Sequence, residues 1–191
     1  MRVITGSAKG RLLKPPRNRK IRPTADKVKN AFFNMIGNTV RGGSFLDLFA
    51  GTGSMGIEAL SRGAVRCVFV DNGRDSLRLI KENLYRAGFI KEADVLHYDF
   101  TRALKMLKKN GESFDIIYID PPYHLYRIDL ILKIIYDYRL LVAGGFIGVE
   151  RDRREDCACL EGVPFPLKQQ KVYGDTRLIL LSTGACQEIK E

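Results

Sequence analysis

The chain of 191 residues predicts an α/β domain: a mostly parallel sheet covered by helices on both faces. Three observations carry that expectation. From residue 44 onward, short apolar runs alternate with segments of helical periodicity. A glycine-rich turn, Gly51-Thr52-Gly53-Ser54-Met55-Gly56, links the first run to the first of those helices. Near the end the pattern changes, and two extended runs joined by Gly174-Asp175 read as a closing antiparallel hairpin.

Taken in order, Arg2-Val3-Ile4-Thr5 and Arg11-Leu12-Leu13 flank Gly6 to Gly10 as a small basic β-hairpin, and residues 15–20 form a basic loop. Thr24 stands where it can cap a helix reaching about Gly37, with Val28, Ala31, Phe32, Met35 and Ile36 on one face. Strands are expected at residues 44–48, 67–71, 94–98, 114–119 and 145–149. The helices between them are expected over residues 54–61, up to about 86, over 101–108 and over 128–138. The hairpin strands fall at 167–173 and 176–181. Residues 1–23 thus form a basic extension to a main domain over 24–191. In open sheets of this kind, ligands bind beyond the carboxyl ends of the strands, near the point where strand order reverses.

Charge narrows the partners. The net charge is +10, and residues 1–45 contain 11 lysines and arginines against the single acid Asp26, so the whole excess lies in the first quarter. Clustering of that kind suits a polyanion such as nucleic acid. Arg2, Lys9, Arg11, Lys14, Arg17, Arg19, Lys20 and Arg22 are the expected contacts. The most apolar stretch, residues 140–149, is too short to span a bilayer and is broken by glycines, and no apolar leader opens the chain, so a cytoplasmic address is expected. Cys67, Cys157, Cys159 and Cys186 form no C-x-x-C pair, and the histidines are His97 and His124, so no metal site is expected and the thiols read as reduced.

The glycine turn is a G-x-G-x-x-G between strand and helix, with Asp71 following Gly51 at the end of the second strand. Taken alone it fits a nicotinamide dinucleotide or S-adenosylmethionine, since both present ribose hydroxyls to an acid in that place. Asp47 favours the methyl donor: a carboxylate four residues before Gly51 would repel a pyrophosphate but could hold the ammonium or water shell of a methionyl group. A P-loop is disfavoured because no Gly-Lys-Ser/Thr follows. Asp99, after the third strand, could receive an adenine amino group, cap the next helix, or do both.

Asp120-Pro121-Pro122-Tyr123 follows the fourth strand directly. Two prolines fix φ and remove backbone donors, leaving a stiff turn of carbonyls and a carboxylate. An exocyclic amino group offers two N–H donors, which Asp120 and the Pro121 carbonyl can accept, while Tyr123 stacks on the base. Positioning then supplies much of the catalysis. Without a strong base being needed, the turn together with Asp47 and Asp71 points to transfer of a methyl group to an amino nitrogen.

On Leu46-Asp47-Leu48-Phe49-Ala50-Gly51-Thr52-Gly53, Asp71 and Asp120 to Tyr123, the chain resembles the class I (Rossmann-like) S-adenosylmethionine amino-methyltransferases. Arg22-Pro23-Thr24-Ala25-Asp26 through Asn34, the opening Arg2 to Gly6 with Gly10-Arg11, and Tyr173-Gly174-Asp175-Thr176 resemble more narrowly the RsmD family, which methylates N2 of a guanine in 16S ribosomal RNA. The resemblance implies that Asp47, Gly51 and Gly53 hold the methionyl end of the cofactor, Asp71 its ribose and Asp99 its adenine. Phe49, Asn72 and Phe100 join the same cofactor site, and Asp120 to Tyr123 clamp the guanine. It further implies a small-subunit RNA or assembly-intermediate substrate, S-adenosylhomocysteine as product and a monomeric enzyme. The target base must be presented outside a stack. Two rival readings are adenine-N6 methylation of DNA or RNA, and a non-catalytic RNA-binding assembly factor. Residues 151–159, rich in charge and weak in pattern, are assigned no role.

Overall fold

The computed structural model describes residues 1–16, 25–122, 127–155, 160 and 162–184. β1 (Ser44–Leu48), β2 (Arg66–Asp71), β3 (Ala93–His97), β4 (Phe114–Ile119) and β5 (Leu141–Asp152) run parallel, while β6 (Leu167–Tyr173) and β7 (Thr176–Ser182) form the antiparallel hairpin. The sheet order is β3-β2-β1-β4-β5-β7-β6. Strand order therefore reverses between β1 and β4, the point where sheets of this kind hold a ligand at their carboxyl ends. The helices are α1 (Asp26–Ile36), α2 (Ser54–Ser61), α3 (Arg74–Ala87), α4 (Phe100–Lys109) and α5 (Ile128–Asp137).

The central strands are apolar on both faces because both are covered. Phe45, Phe69, Ile116 and Tyr118 pack under α1, α2 and α3, whereas Leu46, Val68, Ile117 and Ile119 pack under α4 and α5. Phe32 of α1 is fully buried, with its ring edge-on to Tyr118 at 4.8 Å and to Phe33 at 5.3 Å. Helix α2 approaches the sheet so closely that a Cβ at Gly56 would lie 2.3 Å from the Phe69 ring and 2.5 Å from the Cys67 sulfur. That contact explains the third glycine of the motif.

The structure departs most from expectation at the two ends of β5 and at the cap of α1. β5 begins at Leu141 rather than at residue 145, because a register shift opposite Phe114 to Ile116 absorbs the glycines that broke the apolar run. It continues to Asp152, because β7 supplies backbone partners for residues 150–152. On α1 the residue at the cap position is Ala25, with no side-chain hydrogen bond, and Thr24 lies outside the described residues. Met35 is half-buried, while Lys29 is fully buried.

Lys29 is buried because its charge is answered. Its Nζ donates to the Arg2 carbonyl at 3.0 Å and lies 3.4 Å from Glu58, itself fully buried. Glu58 also accepts from the backbone N–H groups of Ile4 (2.8 Å) and Thr5 (2.9 Å) and from Arg62 Nε at 2.9 Å. The N-terminal hairpin, whose ladder is reduced to one antiparallel bridge between Arg2 and Leu12, is held to the domain by this carboxylate. Val3, Ala8 and Leu13 enter the same core as α1 and α2. Farther along, Asn83 of α3 accepts from Lys14 N at 2.7 Å and donates to the Thr52 carbonyl at 3.0 Å, so the hairpin also braces the glycine turn.

Candidate active site at the carboxyl ends of the strands

Between β1 and α2 the chain must turn sharply enough to point helix N–H groups at the crevice. Gly51 (φ 54°) and Gly53 (φ 75°) adopt left-handed backbone that glycine tolerates without cost, and Gly53 N donates to the Ala50 carbonyl at 2.7 Å. Phe49 adopts φ 68°, a conformation rare for a bulky residue and concentrated at ligand sites. It brings the Phe49 ring to 5.7 Å from that of Phe100 at the start of α4.

The acids around this turn are placed differently from one another. Asp71 closes the loop: its two oxygens accept from Gly51 N and Gly73 N, each at 2.8 Å. Each oxygen retains a further lone pair for a hydroxyl. Beside it, Asn72 presents an exposed side chain, and its carbonyl lies 3.2 Å from His97 Nε2. Asp99 caps α4, accepting through Oδ1 from Thr101 N at 3.0 Å and Arg102 N at 3.1 Å. These bonds, with that from the Thr101 hydroxyl foremost, hold its carboxyl below the usual range.

Asp47 lies beneath the turn, 3% exposed, and accepts from Gly56 N at 3.0 Å. Burial pushes its carboxyl up to about 7, against the opposing Gly56 bond and with help from the Asp71 charge. Among the described residues no cation pairs with it. A buried carboxylate of this kind fits a cationic ligand group such as an ammonium, and the paired glycines and Asp71 fit a ribose-bearing ligand.

Across the switch point, Asp120 N lies 3.5 Å from the Leu48 carbonyl, so the Asp-Pro-Pro turn leaves β4 directly beside the glycine turn leaving β1. Asp120 is half-buried, Pro121 buried and Pro122 exposed. Tyr123, expected with them, lies outside the described residues, as do His124, Cys157, Cys159, Cys186, Arg17, Arg19, Lys20 and Arg22. The structure thus brings together Asp47, Phe49, Gly51, Gly53, Asp71, Asn72, Asp99, Phe100 and Asp120 at one end of the sheet.

The described basic residues are spread more widely. Helices α2 and α3 start at that rim and run away from it, and the hairpin lies along them. Ser7 N donates to the carbonyl of Ser61, the last residue of α2, at 2.8 Å, which places the hairpin tip with Lys9 at the far end. Arg11 is there too, donating to the Arg86 carbonyl at 3.1 Å. Lys14 pairs with Glu82, and Arg2 is exposed while its backbone carbonyl receives Lys29.

Sequence reading passed over a buried polar group whose phenol feels the charge of Asp120. Tyr118 donates to Glu150 Oε2 at 2.9 Å, and Thr176 Oγ1 lies 3.4 Å from Oε1, all three buried. Burial, then the Glu150 and Asp120 charges, push the Tyr118 phenol well up. Tyr118 was masked by its apolar run; the available signal was Glu150, an acid at the end of a strand where ligands bind. Among the described residues no group of three or more His, Cys, Asp or Glu converges as metal ligands.

The sheet order and the two turns meeting at its switch point define a class I methyltransferase fold. Residues 1–182 match the family described as conserved hypothetical protein 95. A Bacillus subtilis (strain 168) protein provisionally named rRNA methyltransferase YlbH is 46% identical over 176 residues, covering 92% of this chain and 95% of its own. Ribosomal RNA small subunit methyltransferase D of Escherichia coli (strain K12) is 30% identical over 178 residues, covering 91% and 85%. The solved structure of an E. coli protein provisionally named methyltransferase yhhF superposes with a TM-score of 0.82 at 27% identity, covering 97% and 98%. The chain belongs to this family, the RsmD family of methyltransferases.

Proposed function

We propose that this chain transfers a methyl group from S-adenosylmethionine to the exocyclic N2 amino group of a guanine in 16S ribosomal RNA, in the cytoplasm, on the small subunit or an intermediate in its assembly. The observation that carries the reading is the adjacency of the two turns, with Asp120 N 3.5 Å from the carbonyl of Leu48, the residue before the strained Phe49. On this reading an amino-group clamp and a ribose-binding acid share one crevice. Membership of the RsmD family, with its relatives named for ribosomal RNA, supports the substrate class.

S-adenosylmethionine, when bound, supplies an electrophilic methyl group on a sulfonium. The chain does the rest by placement. Asp47, Gly51 and Gly53 hold the methionyl end, with the buried Asp47 carboxylate answering its ammonium. Asp71 and Asn72 receive the ribose hydroxyls. Asp99, Phe49 and Phe100 bound the adenine, two as rings and one as an acceptor. Asp120 and the Pro121 carbonyl accept the two N–H groups of the target, and Pro122 stiffens the turn; Tyr123 stacks on the base. That fixes the nitrogen lone pair toward the methyl and lowers the entropic part of the barrier. Arg2, Lys9, Arg11, Lys14, Arg17, Arg19, Lys20 and Arg22 contact the RNA backbone.

Incubating the protein with isolated small subunits and labelled cofactor, followed by nucleoside mass spectrometry, tests the reading. One N2-methylguanosine per particle is expected; N6-methyladenosine, or no transfer to RNA, overturns it.

A further inference from the structure

The charge excess of the N-terminal segment has a structural continuation that composition conceals. Within α3 the acids and bases are sorted by face. Asp75 and Glu82 sit on the flank beside the hairpin, where Glu82 pairs with Lys14 and with Arg86 at 3.0 Å. The side pointing away from the sheet carries Arg74, Arg78, Lys81 and Tyr85, at helical spacings of four, three and four, and no acid. All four are exposed, and Tyr85 is 75% exposed, the most of any large apolar or aromatic side chain among the described residues. Arg78 reaches sideways to Asp75 at 3.1 Å. Among the described residues Arg74 and Lys81 pair with no acid.

Helix stability does not explain the stripe. Arg74 is the first residue of α3, where a cation opposes the helix dipole, and an exposed tyrosine is a poorer helix former than alanine or lysine. Nor does the core, since α3 buries Leu79, Ile80, Asn83 and Leu84 on the opposite side. Three cations interleaved with one aromatic ring match a nucleic-acid track, in which phosphates meet the bases and an unpaired base stacks on the ring. Position agrees with that chemistry. The stripe starts three residues beyond Asp71 at the rim of the crevice, and its far end lies beside Arg11, which donates to the Arg86 carbonyl at 3.1 Å.

We propose that the outer face of α3, Arg74-Arg78-Lys81-Tyr85, is a docking surface for a single-stranded segment of the substrate RNA flanking the target base, continuous with the N-terminal basic hairpin. This rests on the reading of the chain as a ribosomal RNA methyltransferase and adds a second RNA-binding element to it. The surface acts on affinity and leaves the cofactor site alone.

The test compares the wild-type protein with Arg74→Gln/Lys81→Gln and with Tyr85→Ala and Tyr85→Phe, in methyl transfer and in binding to protein-free 16S RNA across a salt series. The double variant should lower the slope of log affinity against log salt by about 1.5 and raise the KM for RNA, with kcat and cofactor affinity unchanged. Tyr85→Ala should weaken RNA binding roughly tenfold without changing the slope, and Tyr85→Phe should restore it. Wild-type slope and KM in the double variant, with wild-type affinity in Tyr85→Ala, overturn the inference while leaving the enzyme reading intact. Normal binding to free RNA with weakened binding to the assembled subunit also overturns it, because the face would then meet a protein. Absence of any RNA methylation by the wild-type protein overturns both.

Discussion

Asp47→Asn separates what the crevice costs the fold from what it does for a ligand. Asparagine keeps an oxygen to accept from Gly56 N, as Asp47 does at 3.0 Å, but carries no charge into a site that is 3% exposed. The folded-state carboxyl is raised from 3.8 to about 7, chiefly by burial. A carboxyl raised on folding binds its proton more tightly in the native state, so its contribution to stability is fully present below the unfolded value and declines as pH rises through the folded one. The window runs from roughly pH 4 to pH 7. At about 1.4 kcal/mol for each unit, titrating from pH 4.5 to 8.0 withdraws on the order of 3 kcal/mol from the ligand-free wild-type protein. The variant lacks that loss. Thermal unfolding of both proteins should show the variant gaining on the wild type by on the order of 6–12 °C between those pH values. Its cofactor affinity should fall at pH 8, where the wild-type carboxylate can meet a cationic group. A stability difference that stays constant from pH 4.5 to 8.0 refutes the argument, because Asp47 would then not titrate in a buried setting.

Three further outcomes follow from the packing. Phe32→Ala removes a fully buried ring touching Phe33, Phe45 and Tyr118, and should cost about 3–5 kcal/mol in urea unfolding. Glu58→Gln leaves the buried Lys29 only the more distant Asp26 carboxylate, at 4.0 Å, and weakens the anchor of the hairpin, so a loss of about 3 kcal/mol is expected, with faster hydrogen exchange at Ile4 and Thr5. Asp99→Ala removes the α4 cap and should cost about 1 kcal/mol near neutral pH. Because the Asp99 carboxyl is lowered, the contribution is present above its unfolded value and fades as pH falls below about 4, so the two proteins should converge in acid.

Much of this architecture was legible in the residues. The continuous apolar runs of β1, β2 and β4 followed from burial on both faces, a switch to helical spacing marked the end of each, and the observed bounds lie within a residue or two of expectation. The glycine turn was readable because left-handed backbone at Gly51 and Gly53 and close packing at Gly56 leave few alternatives. Other features were hidden for physical reasons. β5 looked short because Gly144 and Gly145 interrupt its apolar run, and only pairing with β7 carries it to Asp152. Lys29 entered only as one of the N-terminal bases, because the carboxylate that answers it in the core stands 29 residues away in the chain, on α2. The basic segment read as one arm, but Arg11 and Lys14 spend hydrogen bonds on α3, and the surface charge continues onto that helix instead of ending with the hairpin. Asp71 was read as a ribose acceptor; what its two bonds to Gly51 and Gly73 show is that it shapes the glycine loop.

The claim on which the account depends most is that Asp120 holds an amino nitrogen against the methyl donor. Asp120→Ala should bind cofactor and 16S RNA as the wild type does, unfold at a similar temperature, and lose methyl transfer by on the order of a hundredfold or more, as expected when the reacting atom is no longer positioned. Single-turnover transfer to isolated small subunits, read as N2-methylguanosine by mass spectrometry, measures this directly. A variant that binds both partners normally and still forms N2-methylguanosine at the wild-type rate would contradict the account.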